Sequence, residues 1–206
     1  MENKLNQDFF SRHPWAKDFF GFVGFVVIVL VGTLLINSFL FRSFLVNGHS
    51  MDYTLANGDR LIVNRLPVTV AAIENKPYIP QRGQIIVFKN PQYVAGTPDE
   101  YIVKRVIAFP GERVVVSNGE LTVYNVQHPT GFSPDDSYRT NGAGPQSPVS
   151  GDVDTIVPDG TLFVCGDNRI DNNSYDSRSG LGTIPFYDVI GPVSLRIYPL
   201  NHFTAF

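Results

Sequence analysis

The chain is poor in cysteine and histidine. Among its 206 residues Cys165 is the single cysteine, so no disulfide can form within the chain. The four histidines, at positions 13, 49, 128 and 202, are too scattered for the spacing of a metal site, and we expect no metal or other cofactor. The net charge of -3 offers no basic surface, so a nucleic-acid partner is not expected.

Charge is also missing from a long stretch near the N-terminus. No charged residue occurs from Phe19 to Phe41. At about 1.5 Å rise per residue, a helix of this length crosses a hydrocarbon core about 30 Å thick. A cleaved secretory signal has an apolar core of about 7–15 residues and ends in a small-x-small site, which residues 42–46 lack. We therefore predict an uncleaved transmembrane helix over residues 19–41.

Basic residues beside this helix predict its orientation. Arg12 and Lys17 precede the apolar run, whereas Arg42 alone follows it closely. Lysine and arginine concentrate on the cytoplasmic side of a span. The excess leans towards a single-pass protein of the plasma membrane, with residues 1–18 in the cytoplasm and residues 42–206 outside it.

The remainder of the chain is predicted to be mostly β. Fifteen prolines, eighteen glycines and many short Val/Ile runs favour strands and turns over a helical bundle. Asn118-Gly119 between two alternating stretches predicts a hairpin. Residues 65–82 read as a connection, and residues 189–193 and 195–198 as two strand-like pieces. Residues 125–155 are rich in turn formers, and we interpret them as a mobile surface insertion.

Two basic residues interrupt an apolar strand pattern at residues 100–109. Lys104 and Arg105 are adjacent, so in a strand their side chains point to opposite faces, and one could be solvated while the other is packed. The strand pattern alone favours an edge strand with two solvated charges. Desolvation lowers the pKa of a buried lysine, whereas an arginine stays charged. If either residue acts as a base, it is Lys104.

Ser50 is the candidate nucleophile, and it needs a base to take its proton. One histidine precedes the apolar run, one is adjacent to the serine and one lies in the predicted insertion, which leaves His202 as the partner for a Ser-His-Asp triad. A Ser-Lys dyad is an established variant of the same logic. Lys104 lies in the apolar setting that such a base needs.

These residues belong to four separated motifs that resemble those of bacterial type I signal peptidases. Members of this family are membrane-anchored Ser-Lys enzymes that remove signal peptides from exported proteins. The motifs are GHSMDYTL at 48–55, RGQIIVF at 82–88, KRVIAFPGE at 104–112, and GDNR at 166–169 followed by SYDSR at 174–178. The resemblance runs from the apolar segment to the C-terminus and implies that Ser50 is the nucleophile and Lys104 the general base.

The resemblance also implies roles for neighbouring residues. Ser174 would hydrogen-bond and orient Lys104. A supporting network of ion pairs would consist of Asp167, Asp176, Arg105 and Arg178. Where some relatives carry a serine that contributes to the oxyanion hole, this chain has Gly48, so the hole would rely on backbone N–H groups, chiefly that of Ser50.

The chain departs from the family pattern at three places. Tyr53 stands where the family usually has proline, and Gln84 where it usually has aspartate. Two additional residues separate Arg169 from Ser174. These departures concern the turn after the nucleophile, a structural strand position and the assignment of Ser174.

The fold implied by the family is a strand-rich catalytic domain with a smaller variable excursion, here residues 110–156. The implied substrate is an extended segment with small residues one and three positions before the cut, able to add to a sheet edge. Val46, Met51 and Val103 flank the dyad in sequence and are predicted to line shallow apolar pockets. The expected partners are signal peptides and the lipid bilayer, and we expect a monomer.

Two alternative functions remain open on the sequence. A self-cleaving Ser-Lys repressor has the same catalytic fold, but it normally carries a helical DNA-binding domain that this chain lacks. A membrane-tethered β domain that binds peptides without cutting them is the non-enzymatic alternative. Cleavage of a preprotein by the purified chain distinguishes the enzyme from the binder.

Overall fold

The computed structural model describes residues 14–96, 100–138, 144–171 and 173–206, and the chain divides into two units between Leu40 and Phe41. In the first unit, helix α1 (Pro14–Leu35) continues as a π-helical turn over Ile36–Leu40. Among the described residues, Trp15–Leu40 is the one helical stretch long and apolar enough to cross a membrane. Most of the predicted cytoplasmic segment 1–18 lies outside the described residues.

Polar side chains within this helix are satisfied by the helix itself. The Thr33 hydroxyl donates to the carbonyl of Val29 at 2.8 Å, and the Asn37 amide donates to the carbonyl of Thr33 at 3.0 Å. In hydrocarbon an unsatisfied polar group costs several kcal/mol, roughly. Both residues are therefore compatible with an apolar surrounding.

The second unit is strand-rich, as predicted. Its elements in chain order are β1 (Phe41–Leu45), β2 (Arg60–Asn64), α2 (Leu66–Ile73), β3 (Ile85–Lys89), β4 (Tyr101–Ala108), β5 (Arg113–Ser117), β6 (Glu120–Tyr124), β7 (Val153–Ile156), β8 (Thr161–Cys165), β9 (Ile184–Pro185), β10 (Val189–Tyr198) and β11 (Thr204–Ala205). In the described part, the main antiparallel sheet has the order β1-β2-β10-β3-β4-β8-β9, with β11 also paired to β10. A smaller sheet has the order β6-β5-β7.

Strand β4 lies inside the main sheet and is covered on both faces. Val106 packs in a cluster with Phe88 and Leu162, whereas its neighbour Ile107 packs in a different cluster with Phe163. Successive side chains of a strand point to opposite faces, so both faces of β4 contact a core. The expectation that Lys104 or Arg105 is solvated is therefore wrong: their exposed fractions are 3% and 6%.

Local turn chemistry predicted some elements and missed others. The hairpin between β5 and β6 forms with Asn118 and Gly119 at φ of 52° and 82°, as a type I′ turn requires. Helix α2 lies in the stretch that we expected to be an irregular connection; Pro67 in its first turn was the available signal. The two predicted pieces near the C-terminus form one strand, β10, whose pairing with β2 shifts register between Val193 and Leu195.

Several residues of the predicted mobile insertion are anchored to the core. Asp135 is buried and pairs with the buried Arg169 through two hydrogen bonds of 2.9 Å. Val149 packs in the core cluster that contains Phe163, and Tyr138 lies over the guanidinium of Arg105. The interpretation of the segment as a surface insertion was wrong at these residues, because turn-forming composition predicts irregular backbone and not exposure. Residues 139–143 lie outside the described part.

The buried thiol of Cys165 is expected to be chemically inert in the folded protein. Burial, with a smaller contribution from the Asp176 carboxylate, raises the pKa of this thiol to about 12. The thiolate is the reactive form, so at pH 8 almost none is present. Iodoacetamide should leave the native protein unmodified and alkylate it fully in guanidinium chloride, as measured by intact mass. Rapid alkylation of the native protein would contradict this burial.

Candidate active site

Ser50 and Lys104 are brought together from separate elements. Ser50 lies in the turn that follows β1, and Lys104 lies in β4. The Lys104 Nζ is 2.7 Å from the Ser50 Oγ and 2.9 Å from the carbonyl oxygen of Val103. The first distance is within the range expected for a nucleophile and its base. Because Lys104 is almost fully buried, its amine meets the serine in a largely desolvated setting.

The turn that carries Ser50 is held down by apolar side chains. Met51 and Leu55 are 1% and 0% exposed and belong to one core cluster. The Leu55 N–H donates to the carbonyl of Met51 at 2.8 Å, and the Gly48 N–H donates to the Asn57 side chain at 3.0 Å. Met51 therefore anchors the nucleophile turn in the core, and its contact with substrate stays a prediction.

Tyr53 adopts a backbone conformation that proline cannot. Its φ is +79°, in the left-handed region, whereas a proline ring holds φ near about −65°. The proline that the family resemblance leads one to expect at this position is therefore incompatible with the turn observed here. Gln84, the other departure, accepts hydrogen bonds through its side-chain oxygen from the Gln81 N–H at 2.8 Å and the Tyr78 hydroxyl at 3.3 Å.

Substituting Tyr53 tests this turn. We expect Tyr53→Pro to lower the free energy of unfolding by more than about 1 kcal/mol, because the native φ is incompatible with the ring. Tyr53→Gly serves as the matched control, since glycine adopts positive φ freely and the side chain is half exposed. The free energy of unfolding of both variants is measured by urea denaturation, with far-UV circular dichroism as the signal. Equal stability of the two variants would show that the turn is not left-handed at this residue.

Residues 167 and 168 tie the nucleophile turn to the sheet. The Asn168 N–H donates to the carbonyl of Ser50 at 3.1 Å, and its side-chain amide donates to the carbonyl of His49 at 3.0 Å. The Asp167 carboxylate accepts two hydrogen bonds from Arg105, at 2.8 and 2.5 Å, and one from the Thr54 hydroxyl at 2.5 Å. A bidentate, buried contact of this kind fixes orientation. The nucleophile turn is thereby linked to β4 through Arg105.

Gly166 lies close to both the nucleophile turn and Ser174. A Cβ added there would lie 2.2 Å from the carbonyl oxygen of Ser50 and 2.2 Å from the Oγ of Ser174. Ser174 is 1% exposed, and its hydroxyl has no hydrogen-bond partner of ordinary geometry among the described residues. The predicted hydrogen bond from Ser174 to Lys104 is thus absent from this structure, although Ser174 lies against the nucleophile's backbone. Its orienting role stays a prediction.

Asp176 and Arg178 form the second ion pair near the dyad. The Arg178 guanidinium donates to the Asp176 carboxylate at 3.1 and 2.9 Å. Burial alone would raise the pKa of the Asp176 carboxyl, but Arg178, the nearby Ser174 side chain and the Gly166 N–H together hold this pKa below its usual range. The carboxylate therefore stays ionised. It also fixes the backbone at Gly166, because it accepts a hydrogen bond from the Gly166 N–H at 2.9 Å.

Sequence reasoning missed several residues that hold this loop in place. Asp135 neutralises Arg169, Asn168 binds the nucleophile turn, and Tyr138 stacks on Arg105. The sequence did contain a signal for the pair of Arg169 and Asp135, because a buried arginine needs a carboxylate partner. The sequence could not show which carboxylate this is, because Asp135 lies in the turn-rich stretch.

A groove of about 280 Å³ opens beside the dyad. It is lined by Phe44, Leu45, Val46, Asn47, Gly48, His49, Ser50, Leu61, Val87, Tyr101, Ile102, Val103, Lys104, Asn173 and Tyr175. Two of the predicted substrate residues, Val46 and Val103, line it. Among the described residues β1 pairs on one side only, with β2, and residues 101–104 of β4 pair only with β3. Both strands thus present free backbone groups that an extended peptide can pair with.

The chain is similar to signal peptidases over most of its length. The family model described as signal peptidase, peptidase S26, matches residues 19–198. Signal peptidase I of Bacillus caldolyticus is 34% identical over 93% of this chain and 92% of its own length. Signal peptidase I of Bacillus licheniformis is 32% identical over 97% and 93%. A solved signal peptidase I from Enterococcus faecalis V583 is 28% identical, covering 56% of this chain and 97% of its own, with a TM-score of 0.39. The extent of the family-model match and of the two Bacillus matches shows that the chain belongs to the signal peptidase family S26 and is a serine endopeptidase.

Proposed function

We propose that this protein is a membrane-anchored signal peptidase that cuts preproteins with a Ser50–Lys104 dyad. The observation that carries the proposal is the 2.7 Å contact between the Lys104 amine and the Ser50 hydroxyl in a largely buried setting. Family membership supports the removal of signal peptides by a serine peptidase. The dyad assigns the chemistry to two named side chains.

In the proposed reaction Lys104 begins as a neutral amine, because burial disfavours the ammonium form. As the Ser50 Oγ attacks the scissile carbonyl, Lys104 takes the hydroxyl proton. The tetrahedral intermediate collapses to an acyl-enzyme, and the lysine ammonium gives its proton to the departing amine of the mature protein. A water then attacks the ester with Lys104 as base, which releases the signal peptide with a new carboxylate and restores the serine.

Backbone groups would stabilise the oxyanion. The N–H of Ser50 donates to no group in the described part of the chain. Gly48 has φ of +104° and no side chain to contribute a hydroxyl. Losing one oxyanion donor costs about 3–4 kcal/mol in a hydrolase, so the Ser50 N–H would carry a large share of the stabilisation.

The groove suits an extended substrate that lies between β1 and residues 101–104 of β4. Val46 and Val103 would bound the pockets for the small residues one and three positions before the cut. A span over residues 19–41 would hold the catalytic unit, residues 42–206, at the outer face of the plasma membrane with the N-terminus in the cytoplasm. Tethering enzyme and preprotein to one bilayer raises their effective concentration.

Cleavage of a defined preprotein tests this function. The purified full-length chain in detergent micelles should release a mature protein whose mass places the cut after a small-x-small sequence. A preprotein with phenylalanine one position before the cut is the matched control, and its cleavage should fall by at least about 100-fold because the shallow pocket cannot accept a ring. Equal cleavage of both preproteins would refute the proposed specificity, and no cleavage of either would favour the peptide-binding alternative.

A further inference from the structure

Tyr175 presents a fixed aromatic ring to the groove. Its neighbours in sequence, Ser174 and Asp176, are 1% and 0% exposed, so the backbone on both sides is anchored. The Tyr175 side chain itself is 46% exposed and lines the same groove as Ser50 and Lys104. An exposed ring on a rigid backbone at the mouth of a site is positioned to contact a ligand.

The hydroxyl of this tyrosine is also tied down. It donates to the Gln92 side-chain oxygen at 2.5 Å. The Gln92 amide in turn donates to the carbonyls of Gly180 and Leu181, at 2.8 and 3.1 Å. Two loops therefore hold the ring by its outer end, and little conformational entropy is lost when a ligand packs against it.

The ring lines the same groove as residues 101–104 of β4. The Oγ of Ser174, the preceding residue, and the carbonyl oxygen of Ser50 both lie 2.2 Å from the place that a Cβ on Gly166 would occupy. Gln92, at its tip, belongs to the connection that closes where Asn90 bonds to Glu100, immediately before β4 begins at Tyr101. Tyr175 is thus fixed between the loop that carries Ser174 and the connection that leads into β4, and it lines the groove together with Val103 and Lys104. Val46 and Val103 pack on the core cluster beneath the groove, whereas Tyr175 stands at its exposed rim.

We propose that Tyr175 is a specificity-determining residue for the substrate side chain two positions before the cut. This inference rests on the proposed function. In an extended peptide, side chains one and three positions before the cut share a face, and the intervening side chain points the other way. When the first and third face the core side of the groove, the second faces the rim and meets the tyrosine ring. An aliphatic side chain packs against such a ring and glycine does not.

Peptide substrates that differ only two positions before the cut test the proposal with the full-length enzyme in micelles. The wild-type enzyme should prefer leucine to glycine there by about tenfold in kcat/KM, mainly through KM. In Tyr175→Ala this ratio should approach one while kcat is retained. Tyr175→Phe and Gln92→Ala should each reduce the ratio partly. The double variant should reduce it no further than either single variant, because both substitutions remove the same hydrogen bond between Tyr175 and Gln92. Tyr187→Ala is the matched control, since Tyr187 is 86% exposed and outside the groove.

The outcomes distinguish the specificity role of Tyr175 from the proposed catalysis. If the wild-type enzyme cleaves and Tyr175→Ala keeps the same leucine-to-glycine ratio, the specificity role alone is overturned. An equal loss of kcat/KM with every peptide overturns it as well. Binding of the same peptides to Ser50→Ala, measured by isothermal titration, gives a second readout that needs no turnover. A leucine preference in binding that disappears when Tyr175→Ala is added supports the role even if the wild-type chain fails to cleave, a failure that would overturn the proposed catalysis.

Discussion

Replacing Ser50 by alanine, or Lys104 by methionine, is expected to lower kcat for preprotein cleavage by at least about a thousandfold. The serine supplies the attacking oxygen, and the lysine is the base within hydrogen-bond distance of it. Because the two groups act as one unit, the double variant should lose no more than either single variant. Lys104→Arg should be equally inactive, since a guanidinium stays charged and cannot accept the proton.

Controls separate loss of the base from loss of the fold. Methionine matches the length of lysine without its charge, so Lys104→Met should unfold at a temperature equal to or above that of the wild-type protein. Lys76→Met removes an exposed lysine, whose side chain is 71% accessible, and should leave kcat unchanged. Rates are measured by mass spectrometry of the released mature protein. Substantial cleavage by Lys104→Met would refute the dyad and reopen the search for a histidine base.

Gly166→Ala is expected to reduce kcat by about 100-fold or more in the folded protein. The added methyl would lie 2.2 Å from the carbonyl oxygen of Ser50 and from Ser174, so the nucleophile's backbone must move. A displacement of about 1 Å at a catalytic group is enough for a loss of this size. The clash with backbone cannot be relieved by rotating a side chain, and we expect lower thermal stability as well.

Gly191→Ala provides the matched control. A Cβ there would lie 2.3 Å from the carbonyl oxygen of Asn64, where β10 meets the end of β2, and φ is +154°. This substitution should destabilise the fold by a similar mechanism while the folded fraction keeps its kcat. Activity is normalised to the folded fraction from circular dichroism at the assay temperature. Equal normalised activities for the two glycine variants would show that Gly166 does not position Ser50.

The sequence predicted those structural elements correctly that depend on residues close together in the chain. The apolar stretch predicted a helix, and Asn118-Gly119 predicted its hairpin, because side-chain hydropathy and backbone φ act within a few residues. The order of motifs suggested that Ser50 and Lys104 meet. Spacing alone could not supply their distance, since the two residues lie on different elements.

The local sequence pattern did not predict which individual side chains are buried. The strand pattern alone favoured a solvated Arg105, but Asp167 from a distant loop neutralises it in the interior. Met51 follows the candidate nucleophile directly and is nevertheless fully buried, because the turn that carries Ser50 folds over the cluster that contains Leu55. Asp135 stood in a stretch read as surface and is 1% exposed.

By itself the sequence determined the apolar helix and the strand-rich class, which follow from composition and periodicity. The two residues proposed for catalysis were implied by the resemblance of four motifs to a known family. The tertiary structure alone decided which charges are buried in pairs, which apolar side chains reach the groove and that Tyr175 forms its rim. The reason is physical: burial depends on what packs against a residue from elsewhere in the chain, and the free energy of a charge or ring changes with that partner.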